Sequence, residues 1–265
     1  MVCSGMLIAV ASDLHINYAD RPIEWPDADV LVIAGDTAND IDDALPLYRE
    51  VAKRYRHVVT VDGNHEHWLN RQKNITVEEN IEALLTQLPD NVYLLGQHLP
   101  SIEIDGVIFI GANGWYTGDA VSDPSYNREW WKTNYSDAYH TGFLTIPQAY
   151  PFTRAHADAE LVSQELAKIT DSSKPVFVIT HTVPHRSLMR SGPQWDYMNN
   201  FFWNSGMQRI IENNAQFITG WIFGHTHDRM EKVIGSTLFL SNPRGSIEEN
   251  PRWWVVTLPV IDPLM

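Results

Sequence analysis

The sequence predicts a layered α/β fold. Short apolar runs rich in Val and Ile recur along the 265 residues. Most lack polar alternation, which is what strands buried on both faces require. Segments with apolar residues at helical spacing lie between several of them. At 44% hydrophobic and 20% charged residues, the chain has the composition to close a core around such layers and is not a disordered sequence.

Taken in order, the first run is Met6–Ala11. The residues ahead of it have no basic stretch and the run passes directly into charged text, so it reads as a first strand and not as a signal peptide. Val30–Ala34 is the second strand. Asp42 to Tyr55 then carries a helical pattern, with Pro46 expected in an early turn. Val58–Val61 follows. Thr76-Val77-Glu78-Glu79 has the form of a capping box, opening a helix whose buried stripe is Ile81, Leu84, Leu85 and Leu88. Val92–Leu95 and Val107–Ile110 are further strands. Thr153 to Ile169 is a helix with Leu161, Val162, Leu166 and Ile169 on one side. Val176–Ile179, a short helix at Met207 to Asn213, and strands at Ile218–Phe223, Leu238–Leu240 and Trp253–Leu258 complete the pattern.

One stretch breaks the rhythm. Residues 113–151 show no period but hold nine Trp, Tyr and Phe residues from Trp115 to Tyr150. Such aromatic density opposes disorder, and a long irregular segment in a compact domain is usually functional. The expectation is a lid or rim on a single domain spanning 1–265. A packed satellite cluster under a long loop is the plainer alternative.

The charge balance, 19 basic against 33 acidic residues for a net −14, opposes a broad nucleic-acid-binding surface. It leaves room for a phosphate-containing substrate held locally. The single cysteine, Cys3, excludes an internal disulfide framework and a thiolate zinc finger, and fits a reducing, cytoplasmic setting. No apolar run approaches the roughly 18 residues of a membrane span. No feature specifies an oligomeric state. Against this background the 11 histidines stand out.

Five short polar motifs follow five of the apolar runs: Asp13-Leu14-His15, Gly35-Asp36, Gly63-Asn64-His65-Glu66, Thr180-His181 and Gly224-His225-Thr226-His227. In open α/β sheets ligands bind beyond the carboxyl ends of the strands, so five such clusters can share one site. Imidazole with carboxylate suits Zn, Fe, Mn or Co. Asp36 can offer an oxygen to each of two ions, and Asn64 supplies an amide oxygen. Two ions about 3.5–4 Å apart would clamp the attacking and leaving oxygens of a phosphoryl displacement. The glycines beside Asp36, Asn64 and His225 allow sharp turns and close approach.

In this order, spread from Asp13 to His227, the motifs resemble those of the calcineurin-like metallophosphoesterases. The resemblance implies a four-layer α/β/β/α sandwich of two mixed sheets flanked by helices, with a dinuclear centre. It implies Asp13, His15 and His227 on the first metal, Asn64, His181 and His225 on the second, and Asp36 between them. Mn2+ is the favoured ion, with Fe or Zn2+ as alternatives. His65 would assist the leaving oxygen, its ring oriented by a nearby carboxylate. The serine/threonine protein phosphatases carry G-D-x-x-D-R-G, whereas this chain reads Gly35-Asp36-Thr37-Ala38-Asn39-Asp40-Ile41, which sets that branch aside.

The expected activity is phosphodiester hydrolysis on a small phosphate ester or nucleotide. A phosphomonoesterase and a non-catalytic metal-binding module are the alternatives. Arg244 is a candidate for gripping a non-bridging phosphate oxygen, or else fixes a turn. His185 is a second substrate-side candidate, and Asn64 would face the substrate as well as the metal. His57, His98, His140 and His156 read as structural, as does His67, with an outer-sphere role as its alternative.

Overall fold

The computed structural model describes residues 5–18, 21–120, 123–143 and 151–260. Its first strands are β1 (Leu7–Ala11), β2 (Val30–Ala34), β3 (His57–Val61), β4 (Val92–Leu95), β5 (Ser101–Ile104) and β6 (Val107–Gly111). β7 (Val176–Ile179), β8 (Gly220–Phe223), β9 (Met230–Ile234), β10 (Thr237–Ser241) and β11 (Val256–Pro259) follow. The helices are α1 (Ile41–Val51), α2 (Asn70–Lys73), α3 (Val77–Leu85), α4 (Pro124–Asn134), α5 (Ser136–His140), α6 (Pro151–Ala167), α7 (Pro193–Asp196) and α8 (Ser205–Asn214).

Two mixed sheets form, ordered β11-β1-β2-β3-β4 and β5-β6-β7-β8-β10-β9. Alternate residues of the same strands enter different apolar layers. Ala9, Ala11, Leu31, Ile33 and Val58 pack toward α1 and α3 with Leu45, Tyr48 and Leu84. Their neighbours Ile8, Val10, Val32, Val59 and Val61 pack against Phe109, Phe177, Ile179 and Ile222 of the second sheet. The outer face of that sheet, through Ile110, Val178, Trp221 and Phe239, meets Val162, Leu166, Met207 and Ile211 of α6 and α8. Three apolar interfaces therefore separate four layers, helix, sheet, sheet, helix. This is why the central strands read as continuous apolar runs.

The capping box at Thr76 is formed, with Glu79 closing it. Pro46 lies in the second turn of α1, whose cap is Asp40. β8 starts two residues later than expected because Ala215–Phe217 forms a 3-10 turn. β11 starts only at Val256, since Trp253 turns its indole N–H to Asn242 O at 3.0 Å.

Six elements were not expected from the sequence, the one-turn helices α2 and α7 among them. β5 and β9 are sheet edges with polar, partly exposed faces, so no apolar run announces them. α4 and α5 lie within the aromatic stretch, with Asp123 as the α4 cap and Pro124 at its first position. Trp115, Tyr116, Trp131, Tyr135, Phe143, Phe152 and Phe201 bury one another there as a satellite cluster. Residues 121–122 and 144–150, Tyr150 included, and Cys3 at the amino end lie outside the described residues.

Candidate metal centre

All five motifs sit at the carboxyl ends of strands. Asp13 and His15 follow β1, Asp36 follows β2, Asn64 and His65 follow β3, His181 follows β7, and His225 and His227 follow β8. Three of these strands belong to one sheet and two to the other. The site therefore lies at one edge of the sandwich, where both sheets contribute.

The side chains form two groups. One ligand atom each from Asp13, His15, Asp36 and His227 lie within 4.8 Å of one another, and so do those of Asp36, His181 and His225. His15 Nε2 and His227 Nε2 face each other at 2.9 Å. In the second group His181 Nε2 lies 3.0 Å from Asn64 Oδ1 and 3.1 Å from His225 Nδ1. Asp36 Oδ2 reaches both groups, 3.7 Å from His15 Nε2 and 3.2 Å from His181 Nε2. One carboxylate oxygen thus faces both groups. The other, Oδ1, accepts His65 N–H at 2.9 Å, where one oxygen for each ion was expected.

The donor set fits cations. The far ring nitrogens of three histidines are already engaged. His181 Nδ1 meets Ala34 O at 2.9 Å, His225 Nε2 meets Phe201 O at 2.9 Å, and His227 Nδ1 meets Glu249 at 2.9 Å. A nitrogen that donates outward leaves its partner as a bare lone pair facing inward. Asp13 Oδ2 is buried and finds no donor among the described residues. Burial works against charge on these histidines, yet the Asp36 carboxylate outweighs it at His181 and raises that imidazole to about 10. Burial and His181 together lower His225 to about 3. The site therefore favours a cation at its centre, whether proton or metal ion.

The backbone is bent to make this arrangement. Asp13, His15, Asp36, His225 and His227 have φ of 47°, 41°, 54°, 74° and 55°. Each non-glycine residue in that region costs on the order of 1–3 kcal/mol and persists only where surrounding contacts impose it. Those contacts are visible. His15 N–H donates to Asp36 O at 3.0 Å, and His225 N–H donates to Asp13 Oδ1 at 2.8 Å. Glu66 is buried, and its carboxylate accepts the N–H groups of Asp36, Thr37 and Gly63 at 3.1, 2.5 and 2.7 Å. A Cβ on Gly63 would lie 2.1 Å from Asp36 Oδ1, and one on Gly224 would lie 2.5 Å from Asp13 Oδ2.

The calcineurin-like phosphoesterase family model matches residues 6–229. The chain belongs to that family. An uncharacterised protein of Acanthamoeba polyphaga mimivirus is 22% identical over 275 residues, covering 92% of each chain. The crystal structure of a phosphopantetheinyl hydrolase from Mycobacterium tuberculosis superposes with a TM-score of 0.77 at 16% identity, covering 100% of this chain and 99% of that one. A Staphylococcus aureus protein described as a candidate 5′-nucleotidase gives a TM-score of 0.54 at 16% identity, with 98% of this chain spanning 55% of the other. At these identities the structures show the shared fold.

In this family member His65 stands beside the two groups, its ring edge-on to His15 with centroids 4.5 Å apart and its Nε2 3.9 Å from Asp36 Oδ2. Its ring stacks on Trp68 with centroids 3.5 Å apart. Its Nδ1 meets Asn39 Oδ1 at 2.7 Å. The ring partner is thus an amide oxygen, three residues after Asp36, where a carboxylate was expected. Burial holds the imidazole well below its ordinary pKa.

Other candidates fall elsewhere. Arg244 is 1% exposed, and its guanidinium donates to the backbone carbonyls of Leu14 and Arg21. That placement supports the turn-fixing role. His185 caps a short 3-10 turn, its Nδ1 turned to Ser187. Among the described residues no hydrogen bond or ring contact joins it to the two groups. His67 is buried between Asp62 and Asn80. His140 stacks on Trp68 with centroids 4.8 Å apart, a packing contact.

Glu66, Asn39, Trp68, Glu249 and Asp137 carry no role in the sequence reading. Asn39 and Glu66 had a signal available in their spacing from Asp36 and His65. Glu249 and Asp137 had none, because each reaches its partner only through the fold. Among the described residues no helix is long and apolar enough to cross a membrane.

Proposed function

We propose that this protein is a two-metal phosphoesterase acting on phosphodiesters, with Asp13, His15, Asp36 and His227 holding one ion and Asp36, Asn64, His181 and His225 the other. The observation that carries this reading is the Asp36 Oδ2 atom set between two groups of donors. When bound, divalent ions supply Lewis acidity, easing deprotonation of water and neutralising charge on the phosphate oxygens. Mn2+ is the favoured ion, since oxygen and imidazole donors without thiolate keep it in contention beside Fe and Zn2+.

The chain's own residues do the rest. Asp36 keeps the two groups in register while Oδ1 ties it to the His65 loop. Trp68 and Asn39 fix the His65 ring. With Nδ1–H donated to Asn39, Nε2 presents its lone pair, and it is the nitrogen that would take up a proton from water and pass it to the leaving oxygen. With Arg244 engaged by carbonyls, the side chains that make up the two groups among the described residues are imidazoles, carboxylates and an amide. A monoanionic diester asks less positive charge of such a site than a dianionic monoester. That balance favours a diesterase, and a small ester or nucleotide fits a chain whose excess charge is acidic.

The test is hydrolysis of bis-p-nitrophenyl phosphate against p-nitrophenyl phosphate with Mn2+, then a panel of cyclic nucleotides, dinucleotides and nucleotide sugars. Turnover that a chelator abolishes, faster on the diester, is expected. Asp36→Asn and His65→Ala should each remove most of it while the chain stays folded. Wild-type rates in either variant would defeat the mechanism, and faster monoester hydrolysis would reverse the substrate assignment.

A further inference from the structure

We infer that Asp137, delivered by the aromatic stretch, is the residue that orients the Asn64 amide toward the second group of ligands and, through Trp68, seats the His65 ring. The inference rests on the metal-centre reading above. Asp137 lies in the first turn of α5 and is fully buried. Its Oδ1 accepts Asn64 Nδ2–H at 2.9 Å and Trp68 Nε1–H at 2.9 Å. Its Oδ2 accepts the Tyr116 hydroxyl at 2.9 Å, and that hydroxyl accepts Trp131 Nε1–H at 2.7 Å.

The chemistry of the acceptor gives this arrangement a direction. A side-chain amide can face a ligand site with oxygen or with nitrogen, and only the oxygen can bind a metal. The Trp68 indole N–H can only donate, so Asp137 Oδ1 is an acceptor, and Asn64 presents Nδ2 to it. Asn64 Oδ1 is then turned to the other side, where it lies 3.0 Å from His181 Nε2. The same oxygen of Asp137 fixes the Trp68 indole, and the indole stacks on His65 at 25° with centroids 3.5 Å apart. One carboxylate therefore sets one ligand atom and one ring.

Nothing local to the Asn64 loop would do this, since Asp137 lies 73 residues further along the chain. The aromatic cluster around it supplies the rigidity. Trp131 and Tyr116 are buried within it and complete the chain of donors. A buried carboxylate is costly unless its oxygens are fully hydrogen-bonded, and leaving its donors unpaired is costlier still. The stretch that breaks the strand–helix rhythm thus has a function that its lack of periodicity does not show.

The experiment compares wild type with Asp137→Ala, Asp137→Asn and Trp68→Phe. Mn2+ binding is read by isothermal titration calorimetry, kcat and KM on bis-p-nitrophenyl phosphate, and folding by thermal melts. Asp137→Ala should weaken Mn2+ binding at the site that includes Asn64 and lower kcat, each by about 10–100-fold, the usual range for outer-sphere partners of a metal site. Asp137→Asn keeps an acceptor oxygen for Asn64 and Trp68 and should recover both to within about fivefold. Trp68→Phe leaves the Asn64 bond in place, so kcat should fall while Mn2+ binding stays at the wild-type level. If Asp137→Ala fails to fold, the Asp137→Asn and Trp68→Phe variants still decide. A folded Asp137→Asn chain that loses Mn2+ binding and kcat by the full range given for Asp137→Ala would overturn the proposal. So would Trp68→Phe weakening Mn2+ as much as kcat, or wild-type binding and turnover in Asp137→Ala. Absence of Mn2+ binding in the wild-type chain would instead defeat the metal-centre reading beneath it.

Discussion

Gly63→Ala is expected to cost this protein most of its activity through a single methyl group. The added Cβ would stand 2.1 Å from Asp36 Oδ1, 2.5 Å from Asp36 N and 2.8 Å from Asp36 Cγ. These are roughly 1 Å inside relaxed contact distances. Because one of the atoms is backbone nitrogen, rotating the Asp36 side chain cannot relieve the clash. The loops after β2 and β3 must separate, yet Glu66 bonds both through Asp36, Thr37 and Gly63 N–H. A misplacement of about 1 Å at reacting groups costs about 10²-fold in rate, or about 2.7 kcal/mol of transition-state stabilisation. Overpacking adds about 1–3 kcal/mol of lost stability. Gly106→Ala is the control. Gly106 has φ +85° in the β5–β6 turn, with nothing within 4 Å of the Cβ it would gain. It should lose about 1 kcal/mol of stability from backbone strain and no rate. The assay is Mn2+-supplemented diester hydrolysis beside thermal melts of all three proteins. Gly63→Ala within about threefold of wild-type kcat, or equal rate losses in both variants, would refute the argument.

Asp158 gives a pH-dependent prediction. It is buried, accepts Gly114 N–H at 2.8 Å, and burial pushes its carboxyl up to about 7. An acid with a raised folded pKa favours folding below its unfolded value of about 4, and that contribution is lost as pH rises to about 7. Asp158→Asn keeps an acceptor for Gly114 and carries no such dependence. Its stability relative to wild type, read from thermal melts, should climb between pH 4.5 and 8, by a few kcal/mol at most. Parallel curves for the two proteins would exclude a strained carboxylate there. Arg244→Lys should lower the melting temperature by several degrees, since buried carbonyls of Leu14 and Arg21 lose donors at about 1–3 kcal/mol. KM for the diester should stay within twofold, and a tenfold rise without loss of stability would return Arg244 to the substrate.

The layer order and most strands are legible in the sequence because burial on both faces leaves a one-dimensional trace. Ile8 and Ala9 face different layers, yet both must be apolar. The motifs are legible for a related reason. Each lies within a few residues of a strand end, so spacing from an apolar run places it at the sheet edge. β5 and β9 were not visible because an edge strand needs only one covered face, although Asp105-Gly106, both with positive φ, marks the β5–β6 hairpin. α4 and α5 were hidden because their aromatics pack into a satellite cluster and not along a single stripe.

What the sequence determined alone is therefore the alternation of elements, the family and the set of donor side chains. These follow from short-range pattern. Only the tertiary structure decided which atoms meet. It placed one Asp36 oxygen between the two groups and an amide, Asn39, on His65. It turned Arg244 inward to the carbonyls of Leu14 and Arg21. It also brought Asp137 to Asn64 across 73 residues. Orientation of a side chain is set by partners distant in sequence, through hydrogen bonds of fixed length and direction, and no local pattern records them.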